Sequence, residues 1–220
     1  MARNKQDFLE FPPSRELDTA HRRLCLSGSF SRSRGFTLLE LMIVLTISAV
    51  LVTLAAPSFG RLFQSNNLSA TVNTFLADMG YARSESIRRG GGVMLCRSDS
   101  PEVVSPVCSS VSAHTGTGWS TGWIVFQDMD NNGVKDDADP VLRVQAPIRS
   151  MDSIQEGGNG PPSTFRFTAT GRLFDLASAT ALTFGGASYE LATRRVVCIS
   201  FGGRAVIAGD GSTDCGTDNL

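Results

Sequence analysis

The sequence predicts an α+β protein, one long N-terminal helix followed by a β domain, and three observations carry this. From Leu38 to Ala56 the chain is almost wholly apolar, long enough for the about 20 helical residues that cross a bilayer core. Beyond it, Leu68, Val72, Phe75, Leu76, Met79, Ala82 and Ile87 recur at steps of three and four, the period of an amphipathic helix. From Val93 onward short apolar runs alternate with Gly, Ser, Asp and Pro clusters, the grammar of strands and turns.

The elements follow in order. Residues 1–35 form a leader without helical period, and they carry seven basic residues against four acids. Positive charge before an apolar span keeps that side cytoplasmic. Residues 36–57 are the transmembrane segment. Its single formal charge is Glu40, and the hydroxyls of Thr46, Ser48 and Thr53 can return hydrogen bonds to the helix backbone. A secretory signal peptide places its cleavage site after the apolar run; here the small residue, Gly35, stands before it, so a cut there leaves the span on the product. Residues 58–90 continue the helix, with Arg88 and Arg89 in its last turn and Gly90-Gly91-Gly92 to end it. Residues 91–220 form the β domain. Strands are expected at Val93–Cys96, Trp123–Phe126, Val141–Val144, Thr164–Phe167, Leu182–Phe184, Val196–Ile199 and Arg204–Ile207, with long polar loops at Ser98–Gly118 and Ser150–Pro162.

Charge and cysteine content bound the chemistry. After residue 35 there remain 13 basic and 17 acidic residues, a mildly acidic balance with no general pull toward nucleic acid or anionic lipid. Cys25 lies in the leader; Cys96, Cys108, Cys198 and Cys215 remain, an even number suited to disulfides in an exported domain. Three connectivities are open, and loop closure favours near neighbours. Zinc is the poorer reading, since no CxxC pair occurs and His114 has no ligand-like spacing to the cysteines. No Walker loop, GxSxG or HExxH motif is present, so no enzyme and no cofactor is indicated.

Two further constellations bear weighing. Asp128, Asp130 and Asn132, followed by Gly133 and then by Asp136 and Asp139, fit the opening of a calcium loop. The closing glutamate and the flanking helices are missing, and an Asx-rich turn between two strands is the plainer reading. Arg194, Arg195 and Arg204 lie around the last expected hairpin, where a solvated face is the plain alternative to phosphate binding.

The run Gly35-Phe36-Thr37-Leu38-Leu39-Glu40 resembles the class III signal of type IV prepilins and type II secretion pseudopilins. Pro57 falls where many pilins carry a helix-kinking proline. The resemblance implies that a prepilin peptidase cuts between Gly35 and Phe36 and that Phe36 becomes N-methylated. It implies that Glu40 meets a neighbouring subunit's terminal amine during assembly. It also implies a pilin-like fold, the helix packed on an antiparallel β domain.

Cys96 after the first strand, the W-x-x-x-W-I-V-F-x-D run from Trp119 to Asp128, the late V-V-C-I-S strand and Gly203-Arg204 narrow it further. They resemble the minor pseudopilin H of type II secretion and its pilus relative, fimbrial protein T. The resemblance covers residues 35 to about 207. Its implications are a single-pass protein of the bacterial inner membrane with a periplasmic β domain, working beside other pilin or pseudopilin subunits in filament assembly and protein secretion. Fimbrial T proteins implicated in DNA uptake carry G-R-x-R; here Val206 replaces the second arginine, so DNA uptake is the alternative and not the favoured role.

Overall fold

The computed structural model describes residues 35–110, 116–157, 164–174, 176 and 179–215. Two compact units make up the chain, Met1–Ile47 and Ser48–Leu220. The expectations placed on residues 1–34 and on His114 lie outside the described residues.

Helix α1 spans Leu38–Arg89. Thr37 caps its start, accepting the Glu40 backbone N–H on Oγ1 at 3.2 Å, so Thr37 and Glu40 stand at the spacing of a capping box. Its far end closes on Gly90, at φ +81°, with Gly91 N–H returning to the Ser86 carbonyl at 2.8 Å, a Schellman turn that only glycine adopts without strain. Glu85 accepts Arg88 Nε at 3.0 Å and Arg89 Nε at 2.7 Å. These bonds, Arg88's first, hold its carboxyl down at about 2. Ser86 Oγ donates to the carbonyls of Phe167 and Thr168 at 2.9 and 3.0 Å, tying the helix end to the β domain.

Among the described residues eight strands follow: β1 Val93–Arg97, β2 Trp123–Gln127, β3 Val141–Gln145, β4 Ser153–Glu156, β5 Thr164–Phe167, β6 Thr180–Gly185, β7 Arg195–Ile199 and β8 Ala205–Gly209. They form two four-stranded sheets, ordered β3-β2-β1-β5 and β4-β6-β7-β8, with every neighbouring pair antiparallel.

Alternation along the strands explains how the sheets share a core. Val93, Leu95, Trp123, Val125, Phe165 and Phe167 from the first sheet, and Ile154, Leu182, Phe184, Val197 and Ile199 from the second, join one buried cluster. The helical stripe Leu68, Val72, Phe75, Met79 and Ala82 completes it. Phe75 is its hub, fully buried, with its ring edge-on to Trp119, Trp123 and Phe184 at 5.4 to 5.8 Å. The opposite face of the first sheet carries a second cluster, Met94, Cys96, Ile124 and Phe126, against which Cys108 and Val141 pack. The bond Cys96–Cys108 therefore folds the following loop over that face, helped by Ser109 N–H on the Arg97 carbonyl at 2.7 Å. The second bond joins Cys198 of β7 to Cys215.

One expectation needs correcting. Residues 150–162 are not simply a loop, because Ser153–Glu156 form β4 and pair with β6. The segment Ser-Ile-Gln-Glu offers one large apolar residue, so its pairing rests on backbone hydrogen bonds and on a buried glutamate rather than on a legible alternation. Likewise β8 begins at Ala205 and leaves Arg204 in the preceding turn.

Candidate functional site

The N-terminal part of α1 presents apolar side chains on every side. Phe36, Leu38, Leu39, Leu41, Met42, Ile43, Val44, Leu45 and Ile47 are all half exposed or more, and the helix is the one described element long and apolar enough to cross a membrane. A helix hydrophobic all round calls for an apolar medium or other helices. Thr46 Oγ1 returns to the Ile43 carbonyl and Thr53 Oγ1 to the Val50 carbonyl, each at 2.8 Å, so neither hydroxyl is left bare in lipid. Gly35 precedes the helix, and Phe36 beside it is largely exposed. Helix α1 runs on through Pro57.

The acidic segment 128–139 is a web of side-chain-to-backbone bonds. Asp128 is buried and accepts the N–H groups of Asn132 and Gly133 at 3.2 and 2.9 Å. Asp139, also buried, accepts those of Met129 and Asp136 at 2.8 and 3.1 Å. Asp130, Asn132 and Asp136 each accept the N–H two residues on, at 3.1, 2.7 and 2.8 Å, as Asx turns do. Asn131 takes φ 58°, a left-handed conformation that asparagine tolerates. Carboxylate oxygens of Asp128, Asp130 and Asp139 lie within 4.8 Å of one another, and all three side chains also accept backbone N–H groups, so they shape the turn without a cation. Arg166 supplies positive charge, with Nη2 at 3.9 Å from Asp128 and donating to the Asn131 carbonyl at 3.0 Å.

The arginines singled out in the sequence do not gather. Arg195 pairs with Phe184 at one end of β7, while Ser200, at the other end, bonds the Arg204 carbonyl. At about 3.4 Å per residue this separates Arg195 from Arg204 by roughly 17 Å, so the two do not combine their charge across the hairpin. Arg194 Nε is taken by the Tyr189 carbonyl at 3.0 Å, and Arg195 Nη1 by the carbonyls of Arg194 and Thr193 at 2.9 and 3.1 Å. Other arginines lie nearer Arg204. The Arg172 guanidinium stacks 4.0 Å over the exposed Phe201 ring, and that of Arg166 lies 5.0 Å over exposed Phe174. Leu173 N–H bonds the Phe201 carbonyl at 3.0 Å, which joins both pairs to the turn that carries Arg204. Gly203 permits this docking; its φ is +75° and a Cβ there would meet the Gly171 carbonyl at 2.2 Å.

Two buried acids went unrecognised in the sequence. Asp78 falls among the polar positions of the amphipathic helix, yet it is only 6 % exposed. It accepts Trp123 Nε1 at 2.9 Å and Arg143 Nη1 at 2.7 Å, and Arg143 stacks 4.1 Å over the Tyr81 ring. Glu156 accepts Trp119 Nε1 at 2.6 Å. The two indoles of the W-x-x-x-W run thus each need a carboxylate from elsewhere in the chain, a signal that two buried tryptophans could have given.

Two family models match the chain. The family model of type II transport protein GspH matches residues 71–203, and that of the prokaryotic N-terminal methylation motif matches residues 30–56. Two crystal structures of the type IV minor pilin FimU from Pseudomonas aeruginosa strain PAO1 are similar. One has 18 % identity over 64 % of this chain and 88 % of that one, with a TM-score of 0.46; the other has 16 % identity over 64 % and 91 %, with a TM-score of 0.43. No curated protein sequence matches the chain significantly.

Proposed function

The chain belongs to the family of type II transport protein GspH, whose model matches more than half of it, and on that premise we propose that it is a minor subunit of a pilin-type filament. The family is one of structural subunits and not of enzymes, and the chain is a pilin or pseudopilin of a type II secretion system or type IV pilus. In the finer reading, prepilin peptidase removes residues 1–35, the span holds the subunit in the inner membrane with its β domain in the periplasm, and the helix then joins other pilin helices. The observation that carries this is the methylation motif lying on a helix that is apolar on all sides. Such a helix has two settings that satisfy it, lipid and a bundle of like helices. Glu40 is the group placed to distinguish them. A lone carboxylate in hydrocarbon costs a few kcal/mol, and a neighbour's terminal amine would offset that cost.

The test is cross-linking in membranes that contain the companion subunits. Glu40→Ala is expected to leave the chain processed and membrane-bound while abolishing its cross-links to the others. Unchanged cross-linking would remove Glu40 from assembly.

A second reading, binding of DNA for uptake, draws on Arg166, Arg172 and Arg204 with Phe174 and Phe201, since guanidinium and aromatic faces together suit nucleic acid. Three cations in an acidic chain give few phosphate contacts. Binding at low salt that vanishes at physiological salt is the expected result. Salt-resistant binding lost in Arg172→Ala and Arg204→Ala would favour this reading.

A further inference from the structure

We propose that the β domains of neighbouring copies of this chain dock head to tail, the tip Glu102-Val103-Val104 of one copy seated on Arg172, Arg204, Phe174 and Phe201 of the next. This rests on the reading of the chain as a filament subunit and extends it from the helix to the β domain.

The tip is held firmly. It stands between two buried prolines, Pro101 and Pro106, with Pro101 lying against Gly122. Cys96–Cys108 closes the loop behind it, and Ser105 Oγ donates to Asp137 at 2.6 Å. Between these anchors Val104 is fully exposed, and Val103 and Val107 are more than half exposed. Segment 98–110 carries Asp99 and Glu102 and no base. Glu102 has no cationic partner among the described residues. Prolines and a disulfide lower the ordering cost of a contact made here, and valines held out in water gain by burial.

The patch is equally fixed and opposite in charge. Gly203 docks on the Gly171 carbonyl, so the two turns that carry Arg172 and Arg204 touch. Leu173 N–H on the Phe201 carbonyl at 3.0 Å and Phe174 N–H on the Arg166 carbonyl at 2.9 Å hold the segment in place. Phe174 and Phe201 are exposed, with the guanidinium groups of Arg166 and Arg172 over their rings. Arg172 and Arg204 are exposed as well, and neither is paired with an acid among the described residues.

These cations are too few for a long polyanion but enough for one acidic tip, and the two phenylalanines offer its valines an apolar seat. Within one chain the two surfaces stay apart. The anchors hold the tip over β1 and β2, whereas the patch lies beyond β5, the edge of that sheet. Each surface therefore finds its complement on another copy. A contact between unlike surfaces repeats from copy to copy instead of closing on a pair, as a filament requires. It is small, and sharing one membrane supplies the effective concentration it needs.

The test places two differently tagged copies of the mature chain in the same membranes. One carries Ser100→Cys and the other Ala169→Cys, exposed positions beside the tip and the patch, and a short bismaleimide is added. A product joining both tags is expected. None is expected when Ala187→Cys, exposed on the loop held by Gln64, replaces Ala169→Cys. Arg172→Glu in the second copy should cut the yield about tenfold, and Glu102→Arg in the first should restore it.

A separate pair, Leu51→Cys in both copies, reports contact between spans. Product from that pair without product from 100 and 169 overturns the docking and leaves the filament reading in place. Absence of both overturns self-association, while the Glu40 cross-links to companion subunits still decide the filament reading. A yield unchanged by Arg172→Glu overturns the charge pairing. A photo-activatable maleimide on Ala169→Cys that marks a companion subunit instead of the tagged copy overturns the second copy as occupant. Loss of product to duplex DNA at physiological salt assigns the patch to nucleic acid instead.

Discussion

Replacing Asp78 by alanine tests how the helix is locked to the β domain. The substitution removes two bonds at once, that from Trp123 Nε1 at 2.9 Å and that from Arg143 at 2.7 Å. A buried indole N–H that loses a charged acceptor forfeits about 1.5–3 kcal/mol. The Arg143 side chain is about half exposed (45 %), so water screens that pair and it adds at most about 1 kcal/mol. Together the expected cost is about 2–4 kcal/mol. Urea denaturation of the soluble fragment from residue 62, followed by tryptophan fluorescence, reads it directly. With a slope of about 2 kcal/mol/M, the midpoint falls by roughly 1–2 M. A cycle with Trp123→Phe separates the two bonds, since in that background the indole donor is already gone and Asp78→Ala costs less by about 1 kcal/mol or more. A loss below about 0.5 kcal/mol for Asp78→Ala alone, or strict additivity in the cycle, would refute the reasoning.

Three further outcomes are expected. Cys96→Ser with Cys108→Ser opens a short loop, lowers stability by about 3 kcal/mol, and uncovers the Met94–Phe126 face; binding of a hydrophobic dye to that variant and not to the native domain checks the second effect. Millimolar calcium is expected to leave the melting temperature unchanged, because side-chain-to-backbone bonds from Asp128, Asp130 and Asp139 hold the turn without a cation; a calcium-dependent rise lost in Asp130→Ala would mark a metal site. Glu85, ordinarily near 4.5, is held at about 2 by Arg88 and Arg89, so its contribution is full above its unfolded value and is lost as pH falls from about 4.5 toward 2. Comparing Glu85→Gln with the native domain across that window should show the difference closing at low pH.

The legible parts of this fold were those written as periodicity. The apolar run and the stripe from Leu68 to Ala82 could be read from their length and helical step, and seven of the eight strands among the described residues as short apolar runs bounded by turn residues. Strand β4 could not, since three of its four residues are polar and its place depends on the edge of β6. The buried role of Asp78 was hidden for a related reason. On a helical wheel it reads as solvent-facing, and only the approach of Trp123 from another element makes burial favourable. Distance along the chain also misled: Arg195 and Arg204 are near neighbours in sequence, but they sit at opposite ends of the hairpin, whereas Arg172 reaches the Arg204 turn from a separate loop.

The central claim is that this is a pilin-type subunit whose leader is cut before the span, and the N-terminus of the membrane-bound protein tests it most directly. Mass spectrometry of the chain recovered from membranes containing an active prepilin peptidase should find residues 1–35 absent and the protein starting at N-methylated Phe36. Replacing Gly35 by glutamate should leave the leader in place. An intact leader on the native chain in those membranes, or cleavage at any other position, would contradict the account.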